Sequence, residues 1–254
     1  MVNCLSKRKF SNLLFLDLRV AGADITALFD TGAGMTVITR SAAERLGARM
    51  EQATLPAGNN SGLVRRLQTA GLSDVRLGDI PAGELRVVVT DDAAFPAQML
   101  LGWDVISRYR WSYSAKEETL SVGRSETPSD PTDPDSRLGP VVFPSYAGRP
   151  FPARVDTGHT SSTLSGAWRA RLPNVDWHEA EIVGVGSVRR QSVPYARELP
   201  LLFQGRRICL RDVDISETLY GQPPEIEALL GYDFLAGGDW RLDREFQLSD
   251  GQIS

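Results

Sequence analysis

Two stretches decide the fold: ALFDTGAGMTVI, from Ala27 to Ile38, and ARVDTGHTSSTL, from Ala153 to Leu164. Each runs from an apolar strand into Asp-Thr-Gly, passes small or polar residues and returns to an apolar strand. The glycine gives the turn torsions that other residues resist and lets another backbone or a substrate come close. The threonine offers a hydroxyl for a short polar bond. One Asp-Thr-Gly is unremarkable, because Asp and Gly are common in turns. Two copies inside a repeated frame are not. Gly22, Asp30 and Gly58 of the first half correspond to Gly148, Asp156 and Gly184 of the second, each pair separated by 126 positions.

Working outward, the repeat continues. MLLGWDVI from Met99 to Ile106 is echoed by ALLGYDFL from Ala228 to Leu235, at an offset that has grown to 129, so three residues are inserted between the motifs. Between the halves lies RSETPSDPTDPDSRLGP, residues 124–140, with four prolines and almost nothing apolar. That is the composition of a linker. The expected organisation is a first lobe over 1–123, a Pro/Asp/Ser-rich linker over 124–140 and a second lobe over 141–254. Strands are predicted at Leu14 to Val20 and Ile25 to Phe29, joined by a hairpin at AGAD, at Val75 to Leu77 and Leu85 to Thr90, and in parallel at Leu199 to Phe203 and Ile208 to Ile215. Helix is scarce. Ser41-Ala-Ala-Glu44 reads as a capping box opening a short helix, with Ser165 capping its counterpart before Pro173. The fold class is therefore all-β, with two similar barrel lobes and a few short helices.

If the lobes pack about a pseudo-twofold axis through the two turns, symmetry brings the carboxyls of Asp30 and Asp156 together. Two adjacent carboxylates cannot both ionise cheaply, so one proton is shared. One group then serves as general base toward a water while the other, as an acid, polarises a carbonyl. Such a pair hydrolyses an amide.

On these motifs the chain resembles the retropepsin and pepsin superfamily of aspartic peptidases, and the whole is similar to a fused, single-chain retropepsin dimer. The resemblance covers nearly all residues outside the linker. It implies that Asp30 and Asp156 are catalytic and that Thr31, Gly32, Thr157 and Gly158 support them, the two threonines forming a hydrogen-bonded grip. It implies substrate contacts from Ala33, Gly34 and His159, and from flaps carrying Gly58 and Asn59 in one half and Gly184, Val185 and Gly186 in the other. The Leu100-Leu101-Gly102 and Leu229-Leu230-Gly231 segments would support the active-site loops, with Asp104 and Asp233 capping the helices that follow. Two departures stand out: His159 replaces the small residue usual after the motif, and no flap tyrosine is evident, which favours the retropepsin type.

The function expected is an aspartic endopeptidase that pairs an extended peptide like an added strand, with maturation of one dedicated precursor as a narrower form. The alternative is a catalytically silent peptide-binding protein; two intact motifs favour the enzyme. Composition supports no other class. Of 254 residues, 42% are hydrophobic and 24% charged, and 28 Lys and Arg stand against 32 Asp and Glu, for a net charge of −4. Only the Lys7-Arg8-Lys9 cluster is basic, which argues against a nucleic-acid partner. Asp17 interrupts the early apolar run, so neither a signal peptide nor a membrane span is expected, and the location expected is cytoplasmic. Cys4 and Cys209 give no disulfide framework. His178 has no second ligand at metal spacing and reads as a solvated loop histidine, and Gly184-Val185-Gly186 is followed by no helix that would make it a dinucleotide fingerprint. No cofactor and no metal are expected, and the partner is a peptide or protein substrate bound by a monomer whose halves form an intramolecular pseudo-dimer.

Overall fold

A computed structural model describes residues 2–3, 13–58, 64–91, 97–125, 139–184, 187–236, 238–243 and 245–249. The expected flap residues Asn59, Val185 and Gly186, and residues 126–138 of the expected linker, lie outside the described residues.

The first half is a seven-stranded sheet in the order Phe15–Val20, Ala23–Phe29, Met99–Leu101, Val37–Thr39, Ile80–Thr90, Val64–Leu77, Arg49–Gly58. Val64–Leu77 also pairs back onto Phe15–Val20, with Arg19 opposite Arg76, and this closes a barrel. Alternation builds it: Phe15–Val20 buries Leu16, Leu18 and Val20 and exposes Asp17 and Arg19. The second half repeats the plan. Ala153–Val155 runs parallel to Ala228–Leu230 as Ala23–Phe29 runs parallel to Met99–Leu101, with Val155 opposite Leu230 where Phe29 is opposite Leu101. Thr163–Ser165 lies parallel to Arg206–Ser216 as Val37–Thr39 lies parallel to Ile80–Thr90. Ser145 faces Leu202 in the place of Arg19 and Arg76.

Prolines account for the main difference. The first hairpin is continuous from Phe15 to Phe29, whereas its counterpart is split into Val141–Val142 with Ala153–Val155 and Ser145–Tyr146 with Arg149–Pro150. Pro144 and Pro152 stand at the break and have no N–H for a ladder. The second sheet is correspondingly more open.

A third, five-stranded antiparallel sheet draws on both halves, in the order Val2–Asn3, Thr119–Arg124, Tyr109–Ser114, Trp240–Leu242, Phe246–Leu248. Trp240 there stacks on Tyr113 at 5.4 Å between ring centroids and reaches Phe29 at 6.3 Å. One hydrophobic core consequently runs through both halves. Trp103, Trp111, Tyr113 and Trp240 are buried in it, with Tyr109 and Tyr232 packed at its margin.

Helices are short, as expected, but begin differently. The first spans Arg40–Arg45 and is capped by Thr39, whose hydroxyl accepts from the Ala42 amide at 3.3 Å, two residues before the expected cap Ser41. Thr39 ends a strand in extended conformation, so its oxygen already faces the free amides. Ser165 precedes a 3-10 turn at Gly166–Ala170 but makes no side-chain cap bond. Arg124 ends a strand, and Gly139 and Pro140 are buried, so ordered structure enters the linker segment from both sides. Among the described residues no helix is long and apolar enough to cross a membrane.

Candidate active site

Both Asp-Thr-Gly loops leave the end of a strand held by its parallel neighbour. The Asp30 amide donates to the Leu101 carbonyl at 3.0 Å and the Asp156 amide to the Leu230 carbonyl at 2.9 Å. The loops are then locked to each other. Thr31 Oγ1 donates to the Val155 carbonyl at 2.7 Å and accepts from the Thr157 amide at 3.1 Å. Thr157 Oγ1 donates to the Phe29 carbonyl at 2.7 Å and accepts from the Thr31 amide at 3.0 Å. Each hydroxyl donates once and accepts once, and both threonines are buried.

This lock brings the carboxyls face to face. A Cβ built on Gly32 would fall inside the carboxyl of Asp156, and one built on Gly158 inside the carboxyl of Asp30. No residue but glycine leaves that room. Asp30 is half-buried and its Oδ1 accepts from the amides of Gly32 at 2.9 Å and Ala33 at 3.1 Å. Asp156 is buried and its Oδ1 accepts from Gly158 at 3.0 Å. Burial, and then the charge of Asp156, push the Asp30 carboxyl well above the usual carboxylate range, against the pull of the two amides. Such a pair carries one proton between two carboxyls.

The loops rest on matching supports. Thr36 Oγ1 accepts from the Gly102 amide at 3.1 Å and donates to Asp104 at 2.8 Å. Ser162 Oγ accepts from the Gly231 amide at 3.0 Å and donates to Asp233 at 2.7 Å. Asp104 and Asp233 are therefore not helix caps: Gly102 and Gly231 hold those positions, and each acid is the second residue of its helix, turned back to anchor the loop. Burial raises the Asp104 carboxyl, and the Thr36 hydroxyl opposes the rise. A Cβ on Gly102 would strike the backbone of Met35, and one on Gly231 the backbone of Ser161 and His159. Thr36 and Ser162 were not singled out from sequence, although both carry hydroxyls at the shared 126-residue offset.

Ala33 and His159 occupy equivalent places: their carbonyls accept from the amides of Trp103 at 2.7 Å and Tyr232 at 2.9 Å. Both are half-buried, and Gly34 is exposed. Gly58 and Gly184 end the long strands Arg49–Gly58 and Asp176–Gly184, opposite Val64 and Ser187. His178 lies on a strand and not in a loop, because it is the third residue of Asp176–Gly184. Its Nε2 sits 2.8 Å from Asp214 Oδ1 and its ring packs on Tyr195 at 4.6 Å. Among the described residues no cluster of three or more His, Cys, Asp or Glu is placed to hold a metal ion.

Parts of the chain are similar to known proteins. The family described as "gag-polyprotein putative aspartyl protease" matches residues 16–108. DNA damage-inducible protein 1 of Chaetomium globosum is 29% identical over 171 residues, covering 64% of this chain and 38% of that protein. The chain thus spans well under half the length of this curated relative. Taken with the repeated barrels and the paired loops, both matches support a place for this chain in the retropepsin-like superfamily of aspartic proteases.

Proposed function

We propose that this chain is an aspartic endopeptidase in which Asp30 and Asp156 act as one catalytic unit on a peptide bond. The observation that carries the reading is the reciprocal approach of each carboxyl to the glycine of the other motif. An extended substrate binds over the pair, between the hairpins that bear Gly58 and Gly184, and adds its backbone as a strand. The ionised carboxyl draws a proton from a water, whose oxygen attacks the peptide carbonyl. The protonated carboxyl hydrogen-bonds the carbonyl oxygen as charge gathers there. Collapse of the tetrahedral species breaks the C–N bond, and a carboxyl proton goes to the leaving nitrogen. Thr31 and Thr157 keep both loops rigid, and the facing glycines keep both carboxyls in reach of one water. Ala33, Gly34 and His159 flank the scissile bond and make the two sides of the cleft unequal. In this reading the chain works as a monomer in the cytoplasm, without cofactor, and maturation of a dedicated precursor is a narrower form of the same activity.

A peptide-library digest read by mass spectrometry tests this. Cleavage by the native chain, absent with Asp30→Asn and Asp156→Asn, is expected. Peptides left whole by the native chain but retained on it would instead favour a silent peptide-binding protein.

A further inference from the structure

Arg154 occupies the middle of Ala153–Val155, where its two neighbours, Ala153 and Val155, face the core. Successive side chains alternate, so Arg154 lies on the opposite face, the one to which Asp156 belongs two residues on. The matching residue of the first half is Leu28, packed with Phe15 and Leu100. Arg154 is only 2% exposed, yet among the described residues its side chain bonds a backbone carbonyl and no carboxylate. Its Nη1 donates to the Gly139 carbonyl at 2.6 Å and its Nε is buried without a partner. Gly139 in turn presses on the Thr31 carbonyl, so the guanidinium is clamped against the locked loops.

A buried cation without a bound anion is costly, and the leucine in the other half fills the same place without that cost. The charge therefore calls for a role that a leucine cannot play. Asp156 and Glu225 are the acids that act on Arg154 through space. We propose that Arg154 is a positioning residue that fixes the order of protonation in the pair, holding Asp156 as the ionised member and leaving the shared proton on Asp30. Glu225 has the opposite sign and weakens this field. His159 lies on the same loop as Asp156, and the Asp30 carboxyl faces that loop at Gly158. The elevation of Asp30 by burial and by the charge of Asp156 agrees with this order. The inference rests on the peptidase reading only in its kinetic consequence.

The test separates the two. Carbon-13 NMR titration of the aspartate carboxyls in Asp30→Asn and Asp156→Asn proteins needs no turnover. The lone Asp156 is expected to ionise at lower pH than the lone Asp30, by about one pH unit. Adding Arg154→Leu should close the gap, and Arg154→Lys should keep most of it. A lone Asp30 that ionises as readily as the lone Asp156, or a gap untouched by Arg154→Leu, would overturn the proposal, and the first comparison decides even if Arg154→Leu does not fold. In the otherwise native chain, Arg154→Leu should move the acid limb of the kcat/KM profile upward by up to about one pH unit and the alkaline limb much less. A purely structural role would lower turnover at every pH and leave the limbs in place. An ordered titration without any peptide cleavage would retain the charge placement and dismiss the peptidase reading.

Discussion

At the scale of single residues, the two threonines and the two aspartates do different work. Each threonine hydroxyl satisfies a carbonyl and an amide of the opposite loop, all of them out of water. Thr31→Val keeps the shape but leaves the Val155 carbonyl and the Thr157 amide unpaired, each at about 1–3 kcal/mol. Urea denaturation should show that loss, and Thr31→Ser should recover most of it. The Asp30 carboxyl costs stability instead. The Asp30 carboxyl sits well above its ordinary value of 3.8, so between that value and the folded one the native state keeps a proton the unfolded state has released. Stability falls as pH rises through this window. Asp30→Asn removes the group, so its melting temperature should match the native protein's near pH 3 and exceed it toward pH 7. A variant that loses ground as pH rises would contradict this sign. The site was legible here because Asp-Thr-Gly appears twice. Arg154 takes the place of Leu28 in the repeat but was not singled out, because its burial depends on Gly139, which belongs to a segment that reads as linker.

Among the elements, turns and strand ends followed local chemistry that the sequence states openly. Ala21-Gly22 and Ala147-Gly148 are two-residue hairpin loops with positive φ at both positions, 48° and 81° in the first, 49° and 79° in the second. Glycine adopts this region freely, while alanine is strained there and asparagine less so. Ala21→Asn and Ala147→Asn should each stabilise the fold by about 0.5 kcal/mol, read by thermal melting. Other elements were less legible. The Ser41 pattern pointed to a helix but missed its start, because the end of the strand at Thr39 had already placed a hydroxyl over the free amides. Asp104 looked like a cap until its partner Thr36 was in view, 68 residues away in the chain. His178 acquires its partner Asp214 only when two strands separated by a third are laid side by side.

Over the whole molecule, the halves form a closed barrel and a more open counterpart, tied by one sheet and one core. Nothing local in Trp240–Leu242 foretells its pairing with Tyr109–Ser114, since the match is made across more than a hundred residues. Trp240 is 1% exposed and packs on Phe29 and Tyr113 of the first half. Trp240→Ala should therefore destabilise both halves together, by about 3–5 kcal/mol, in one calorimetric transition. Two separate transitions would show the lobes to be independent. The same joining is what sets one aspartate against the other, and the account stands or falls on their acting as a pair. The direct measurement is turnover of a cleavable peptide by the native chain, Asp30→Asn, Asp156→Asn and the double variant, with folding checked by circular dichroism. Each single variant should lose about 10²–10⁴-fold or more in kcat, and the double should be hardly worse than either, because residues that act as a unit are strongly non-additive. A folded single variant that keeps near-native turnover would contradict the two-aspartate mechanism.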